Sequence, residues 1–191
     1  MAKSFHEEEK IENKKYFSLV LEPGDYECCI FINCDFTNAD ISNINFIESE
    51  FHNCNLSLTK LTRTLFKEVK FKGCKLLGLH FEDCNNLSMD FDFNKCRLDL
   101  CSFNKLKLKT SLFCDSELIE TDFSDTELIN SVFKNCNLER TIFNNSNLEG
   151  VDFRTSFNFS IDPDNNRIKN AKFSLSSLPG LLGKYDIIIE P

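Results

Sequence analysis

Residues 136–153 read CNLERTIFNNSNLEGVDF, and Leu138, Phe143, Leu148 and Phe153 stand five apart. An α-helix repeats about every 3.6 residues and a strand every two, so neither keeps a period of five on one face. The same step runs outward from this stretch. It passes through Phe31, Phe36, Ile41, Phe46, Phe51, Leu56, Leu61, Phe66, Phe71, Leu76 and Phe81. It breaks at NNLSMDFDF, restarts two residues out of step at Phe93, and continues through Leu98, Phe103, Leu108, Phe113, Leu118, Phe123, Leu128 and Phe133 into the quoted segment. Every position of the series is Phe, Leu or Ile.

The residue two before each of these centres is usually small: Cys34, Ala39, Ser49, Cys54, Thr59, Thr64, Cys74, Cys96, Cys101, Ser111, Ser116, Thr121, Thr126, Ser131, Cys136, Thr141 and Ser146, with Ile44, Val69, Leu79 and Leu106 as exceptions. The other three positions of each unit are mostly polar. Each unit therefore offers one large and one small inward residue. A period of twenty lies over the period of five. Phe31, Phe51, Phe71, Phe93, Phe113, Phe133 and Phe153 form one series, and Leu56, Leu76, Leu98, Leu118 and Leu138 another. Four units per turn stack like on like, so the spacing predicts an all-β, four-sided coil with one short extended segment per side. Coils about 4.8 Å apart, the spacing of paired strands, would build a rod about 30 Å tall.

The units CNLER, SNLEG, ADISN and CDFTN resemble those of the pentapeptide-repeat proteins, over residues 31–156. The resemblance implies a right-handed quadrilateral β-helix. It is nearest in character to the Qnr-type quinolone-resistance proteins and the McbG-like microcin-immunity proteins, and so implies a protein partner, DNA gyrase or a related topoisomerase, shielded by the rod. Some members of the family dimerise through their C-terminal ends, which implies a homodimer here.

The chain has 191 residues, a net charge of −8, 41% hydrophobic residues, 20 Phe and no Trp. The acidic balance argues against direct binding of nucleic acid. No run of about 18 apolar residues is present to span a membrane. The polar start MAKSFHEEEKIENKKY reads as no signal peptide or lipidation motif, so a cytoplasmic location is expected. There is no Ser-His-Asp set or phosphate loop, and the predicted axis is filled by Phe and Leu, so no enzyme is expected.

Eight of the ten cysteines (Cys29, Cys34, Cys54, Cys74, Cys84, Cys96, Cys101 and Cys136) fall at the small inward position. They read as small packed hydrophobes and not as disulfides or metal ligands. There is no CxxC, and His6, His52 and His80 read as outward or terminal. Cys114, one past a centre, is the expected exposed thiol. No cofactor or metal is expected. Asp162, Asp164 and Asn166 alternate oxygen ligands, but the segment lacks the Gly and the twelfth-place Glu of a calcium loop, so IDPDNN reads as a turn.

An open coil needs covered ends. Residues 1–30 are expected to form an N-terminal cap with the first extended segments. HEEEKIENKK is read there as a short helix or a loosely held tail, and KYFSLVLEPGDYECCIF as two extended pieces about a Pro-Gly turn. Residues 157–191 are expected to form a C-terminal cap or dimerisation segment. A short helix begins in it at Ser176 or Ser177, and DIIIE makes a final strand. Leu178, Leu181, Leu182, Ile187, Ile188 and Ile189 either fold over the last coil or pair two chains. The slip between Phe81 and Phe93 reads as a bulge or a small corner loop, either tolerated irregularity or a contact site. A polar residue at Phe113 or Phe123 should cost more stability than one near Phe31.

Charge is segregated. Residues 61–110 carry ten basic and six acidic groups, and residues 111–153 carry two basic and nine acidic groups. Asp115, Glu117, Glu120, Asp122, Asp125 and Glu127 all take outward positions, as an acidic ring around one coil above a basic belt. They are the candidate partner-binding residues; the plainer reading is a solvated surface that keeps rods apart.

Overall fold

The computed structural model describes residues 4–16, 20–87 and 89–189. Two of the four sides are continuous parallel sheets. One joins β1 (Ser4–Glu7), β3 (Gly24–Glu27), β5 (Asn45–Ile47) and β7 (Leu65–Lys67) in that order. The other joins β2 (Lys10–Glu12), β4 (Ile30–Ile32), β6 (Glu50–His52), β8 (Val69–Lys72), β9 (Phe91–Asn94), β10 (Leu112–Cys114) and β11 (Val132–Lys134). Isolated parallel bridges hold the remaining sides, such as Asp35 to Asn55 to Lys75 to Arg97 to Glu117, and His80 to Ser102 to Asp122. The registers pair Phe31 with Phe51, Phe51 with Phe71, Phe71 with Phe93, Phe93 with Phe113 and Phe113 with Phe133. The chain is thus a parallel, four-sided β-helix with twenty residues per coil.

Large apolar residues fill the shaft. Rings of one column lie face to face, with Phe113 and Phe133 4.5 Å apart at 1° and Phe133 and Phe153 5.1 Å apart at 13°. Across the shaft Phe103 meets Phe113 edge-on at 89°, the T-shaped arrangement that aromatic quadrupoles favour. Phe31, Phe51, Phe71, Phe93, Phe113 and Phe153 are wholly buried and Phe133 nearly so; each such burial contributes roughly 1.5–3 kcal/mol, offset by chain entropy.

The corners follow from backbone sterics. The residue two after a centre takes a left-handed conformation, with φ of +51° at Asn33, +56° at Asn38 and +65° at Gly73. This region is costly for most side chains and tolerated by Asn, Asp and Gly, which explains why those types recur there. At Gly73 a Cβ would also lie 2.5 Å from Asn53 Oδ1 of the coil before.

The small inward position does more than leave room. Its hydroxyl donates to the carbonyl of the large residue one coil earlier: Thr59 to Phe36, Thr64 to Ile41, Thr121 to Leu98 and Ser131 to Leu108, each at 2.8 Å. Thiols take the same role less tightly, Cys54 toward the Phe31 carbonyl at 3.4 Å and Cys74 toward that of Phe51 at 3.2 Å. These bonds satisfy buried carbonyls that face the filled shaft.

The slip is a bulge with a packing consequence. Leu65 still pairs with Asn85, twenty on, whereas Val69 pairs with Phe91, twenty-two on. The extra residues therefore lie between Asn85 and Phe91. Asn86, at the place beneath Phe66, is exposed. Phe91 fills the shaft instead from a small inward position, 6.0 Å from Phe66, 5.2 Å from Phe81 and 6.4 Å from Phe103. Here the second aromatic column changes sides. Tyr26, Phe46 and Phe66 stand on one side before the bulge; Phe81, also before it, opens a column on another side that continues beyond the bulge through Phe103, Phe123 and Phe143.

Both ends depart from expectation. HEEEKIENKK is neither helix nor loose tail: β1 pairs with β3 and β2 with β4, so the coil starts one turn before Tyr26. His6 stacks on Tyr26 at 4.4 Å and Tyr16 on Phe36 at 4.5 Å, so His6 is a partly buried centre, not an outward residue. Residues 17–19 of the first expected extended piece lie outside the described residues. At the other end the register continues past residue 156, through bridges Asn147 to Arg167 and Asp152 to Lys172, and Phe173 stacks on Phe153 at 5.5 Å.

The C-terminal helix is present as a 3-10 segment, Leu175–Leu181, whose N-cap is Ser174, not Ser176 or Ser177. Ser177 Oγ accepts the Ser174 amide at 3.2 Å. Pro179 lies inside it, and Gly180 sits where a Cβ would come 2.5 Å from the Phe159 carbonyl oxygen. A second short turn, Gly183–Tyr185, follows. The final strand expected at 186–190 does not form over 186–189, where Asp186 turns the chain at φ +49°. IDPDNN is a turn, and Lys184 Nζ binds its Asp162 at 2.6 Å and its Asp164.

Candidate functional site

The acidic residues occupy one coil on three successive sides. Glu117, Asp122 and Glu127 are bridge residues at the middle of each side, and Asp115, Glu120 and Asp125 are left-handed corner residues. The corner three are exposed and the other three half-buried. The coil after the ring engages it closely: Asn135 donates to Asp115 at 2.9 Å, Asn137 to Glu117 at 2.9 Å, Arg140 pairs with Glu120 at 2.7 Å, and Asn145 donates to Asp125. The Asn135 amide, with the Cys114 thiol, holds the Asp115 carboxyl below its ordinary pKa. Asp122 accepts the Ser124 amide and hydroxyl at 2.8 and 2.6 Å.

The basic belt lies on the coils before. Lys107 and Lys109 reach Glu127 at 3.7 and 3.3 Å. Farther along, Glu50 gathers Lys72 at 2.8 Å, Lys70 at 3.4 Å and His52 at 2.7 Å. Two axial columns mix their signs: Asp35, Asn55, Lys75, Arg97, Glu117, and Glu50, Lys70, Asp92, Leu112. In these two columns negative charge does not run along the rod, whereas the ring circles one coil.

The C-terminal apolar residues divide into two groups. Leu181 packs against the core and Leu182 is half-buried. Leu178, Ile187, Ile188 and Ile189 are exposed, Ile188 by 91%, beside exposed Leu175 and Tyr185.

The eight cysteines expected inside are buried, and Cys114 is buried as well; the exposed thiol is Cys28, at a corner with φ +54°. The Cys114 side chain turns toward Asp115 instead of solvent. Sequence reasoning also passed over two corner residues, Leu58 and Leu100, which take φ of +57° and +61° and are exposed by 60% and 59%. Most other corners carry Asn, Asp, Glu, Lys, Arg or Gly, with Cys28 and Thr110 besides.

The family described as pentapeptide repeat region matches residues 25–92 and 88–157. No curated protein matches the sequence. Among solved structures the fold is similar to that of QnrB1, described as a plasmid-mediated fluoroquinolone resistance protein. One trypsin-treated form aligns with a TM-score of 0.66 at 15% identity, over 98% of this chain and 100% of that one. A second trypsin-treated form gives 0.64 at 16%, over the whole of both chains. The full-length protein gives 0.54 at 17%, over 96% of this chain and 100% of its own. At these identities the likeness shows the fold, the right-handed quadrilateral β-helix.

Proposed function

This chain belongs to the pentapeptide-repeat family, and on that premise we propose that it is a non-enzymatic, cytoplasmic rod that binds another protein through its acidic ring. The observation that carries this reading is the placement of Glu117, Asp122 and Glu127 on three sides of one coil, with Asp115, Glu120 and Asp125 at the corners between them. Such a ring suits a basic surface on a partner and gains its specificity from charge complementarity. DNA gyrase, or a related topoisomerase, is the partner we propose, and the fold likeness to a fluoroquinolone resistance protein supports it. The rod would meet the enzyme directly, without nucleic acid between them, and as a homodimer joined through its C-terminal ends.

The test is gyrase supercoiling and inhibitor-induced DNA cleavage with purified protein, the parent against Glu117→Lys, Asp122→Lys and Glu127→Lys combined. Parent protein should change one or both readouts and the charge-reversed variant should not, at equal melting temperature. Excess parent protein that alters neither ends the topoisomerase reading. One observation favours a second reading, a protein-interaction scaffold without DNA mimicry: the columns that end at Glu117 and at Leu112 mix their signs, so neither makes an acidic stripe along the rod. Recovery of a defined partner other than a topoisomerase would support that scaffold.

A further inference from the structure

The two ends of the rod differ. Leu175–Leu181 lies at the C-terminal end, with Leu181 packed on the core. At the N-terminal end β1 and β2 are the outermost strands of their sheets, and no described residue pairs with their outer edges. In β2 the Glu9 carbonyl accepts the Ile30 amide at 2.8 Å, and just past it the Asn13 amide donates to the Ile32 carbonyl at 2.9 Å. Backbone groups of successive strand residues alternate in direction, so those of Lys10 and Glu12 point away from the rod. An open edge of this kind is a template for another strand. Beside it the rings of His6 and Tyr16 are half-buried, each stacked on a ring of the next coil, Tyr26 and Phe36.

The charges of this edge are their own complement. Read antiparallel about Ile11, EEEKIENKK (residues 7–15) sets Glu7 against Lys15, Glu8 against Lys14 and Lys10 against Glu12, each twice across the axis. All six are exposed. The same axis brings His6 of one chain to Tyr16 of the other and joins their ring stacks. Lys10 meets Glu12 of its own strand at 2.8 Å, so pairing makes a square of four alternating charges. Sliding by the smallest step that keeps Lys10 and Glu12 on the facing edge sets like against like. One direction opposes Lys10 to Lys10 and Glu8 to Glu12; the other opposes Glu12 to Glu12 and Lys10 to Lys14. Opposite charges directly across an antiparallel pair stabilise it and like charges destabilise it. We propose that β2 pairs with β2 of a second copy, end to end across a two-fold axis at Ile11. Three strand residues and two rings are a small contact beside the roughly 800 Å² per partner of a stable interface, so it forms between concentrated rods and leaves the mass of a dilute sample unchanged. It lies at the opposite end from Ile188 and is independent of the gyrase reading.

The test is zero-length carbodiimide cross-linking of concentrated full chains, half of them labelled with nitrogen-15, read by mass spectrometry as mixed-isotope links between Lys10 and Glu12. Every chain carries Leu178→Asp and Ile188→Asp, which removes the C-terminal apolar contact. One charge variant adds Lys14→Glu and Lys15→Glu; the other adds Glu7→Lys and Glu8→Lys. Chains with the natural charges should give mixed-isotope links. Each charge variant alone sets like charges across the axis and should give about tenfold fewer. Mixing the two variants restores every opposite pair and should restore the links, which a folding defect in either could not do. Only same-isotope links from the chains with natural charges would overturn the proposal. So would either variant alone linking as well as the mixture, or a mixture no better than its parts.

Discussion

The hydroxyl of Thr126 donates to the carbonyl oxygen of Phe103 at 2.8 Å, joining the small inward position of one coil to the large residue of the coil before. The same bond recurs from Thr141 to Leu118, Ser146 to Phe123 and Ser156 to Phe133, at 2.7, 2.7 and 2.8 Å. The preference for Ser, Thr and Cys at this position is therefore a demand for a donor as much as for small size.

Replacing Thr126 by Val keeps the volume and removes the donor. The Phe103 carbonyl still accepts the Leu106 amide at 3.2 Å, so the loss should be that of one buried hydrogen bond, about 0.5–1.5 kcal/mol. Urea denaturation should show a lower midpoint for Thr126→Val and a near-parental one for Thr126→Ser. Equal stability of Val and Thr would reduce the bond to an accident of packing.

Cysteine in the same position should accept Ser with little penalty. Cys54 reaches the Phe31 carbonyl at 3.4 Å, and the Cys34 amide donates to Cys54 Sγ at 3.4 Å. A Ser hydroxyl fills both roles, so Cys54→Ser is expected within about 1 kcal/mol of the parent. Thiol-specific alkylation of the native protein should label Cys28 first, because it alone is exposed, and only at a higher pH than an ordinary thiol needs, because desolvation and the carboxylates of Glu48, Glu27, Glu8 and Glu7 raise its pKa. The Cys54 and Cys74 thiols, pushed up to about 12 with neighbouring thiols and burial contributing, should stay unlabelled until the chain unfolds.

Substitution cost should follow position along the rod, with its end one coil earlier than Phe31. Phe31 is wholly buried and stacks on Phe51 at 4.8 Å, so it is an interior residue. Phe113→Ala and Phe31→Ala should each lose about 3–5 kcal/mol, whereas half-exposed Ile11→Ala should lose no more than about 1–2 kcal/mol. Calorimetry of the three variants measures the gradient; a Phe31 variant as mild as that of Ile11 would deny the first coil its packing role.

The shaft was legible because one short alphabet, Phe, Leu and Ile, repeats with two nested periods, and each residue has a single direction to face. The first coil escaped that alphabet. His6 and Tyr16 are polar-tipped residues that stack on Tyr26 and Phe36 by their ring faces, which a hydrophobicity count does not register. The last coil kept the period of twenty, in Leu148 with Ile168 and Phe153 with Phe173, but lost the period of five where Asn158 and Pro163 stand. The Ile187–Ile189 run looked like a strand by composition, yet strand formation here requires a neighbouring coil in register. The left-handed corners were invisible for a different reason: φ is a property of the place in the coil, shared by residues as unlike as Asn53, Leu58 and Arg63.

Acid should remove one identifiable contribution. Hydrogen bonding from Lys72, against the cost of desolvation and with help from His52 and Lys70, lowers the Glu50 pKa from 4.5 to about 2. A carboxyl whose folded pKa lies below its unfolded one adds stability above the unfolded value and loses it as pH falls through the folded value. The cluster is partly exposed, so its contribution is about 0.2–1 kcal/mol. The stability difference between the parent and Glu50→Gln should be full above pH 4.5, shrink as pH falls, and vanish only below about pH 2. A difference constant across that range would assign the effect of the substitution to something other than charge.

The C-terminal apolar residues make two opposed predictions from one short segment. Leu181 packs on the core, so Leu181→Asp should lower the melting temperature. Ile188 is 91% exposed and Leu178 39% exposed, beside exposed Ile187 and Ile189. An apolar cluster of this kind at the end of a rod suits a two-fold contact with a second copy. Light scattering should give twice the chain mass for the parent and a single chain for Ile188→Asp combined with Leu178→Asp, with melting measured at low concentration unchanged. A parent that scatters as one chain at every concentration would leave these isoleucines without a partner and remove the dimer from the proposed function.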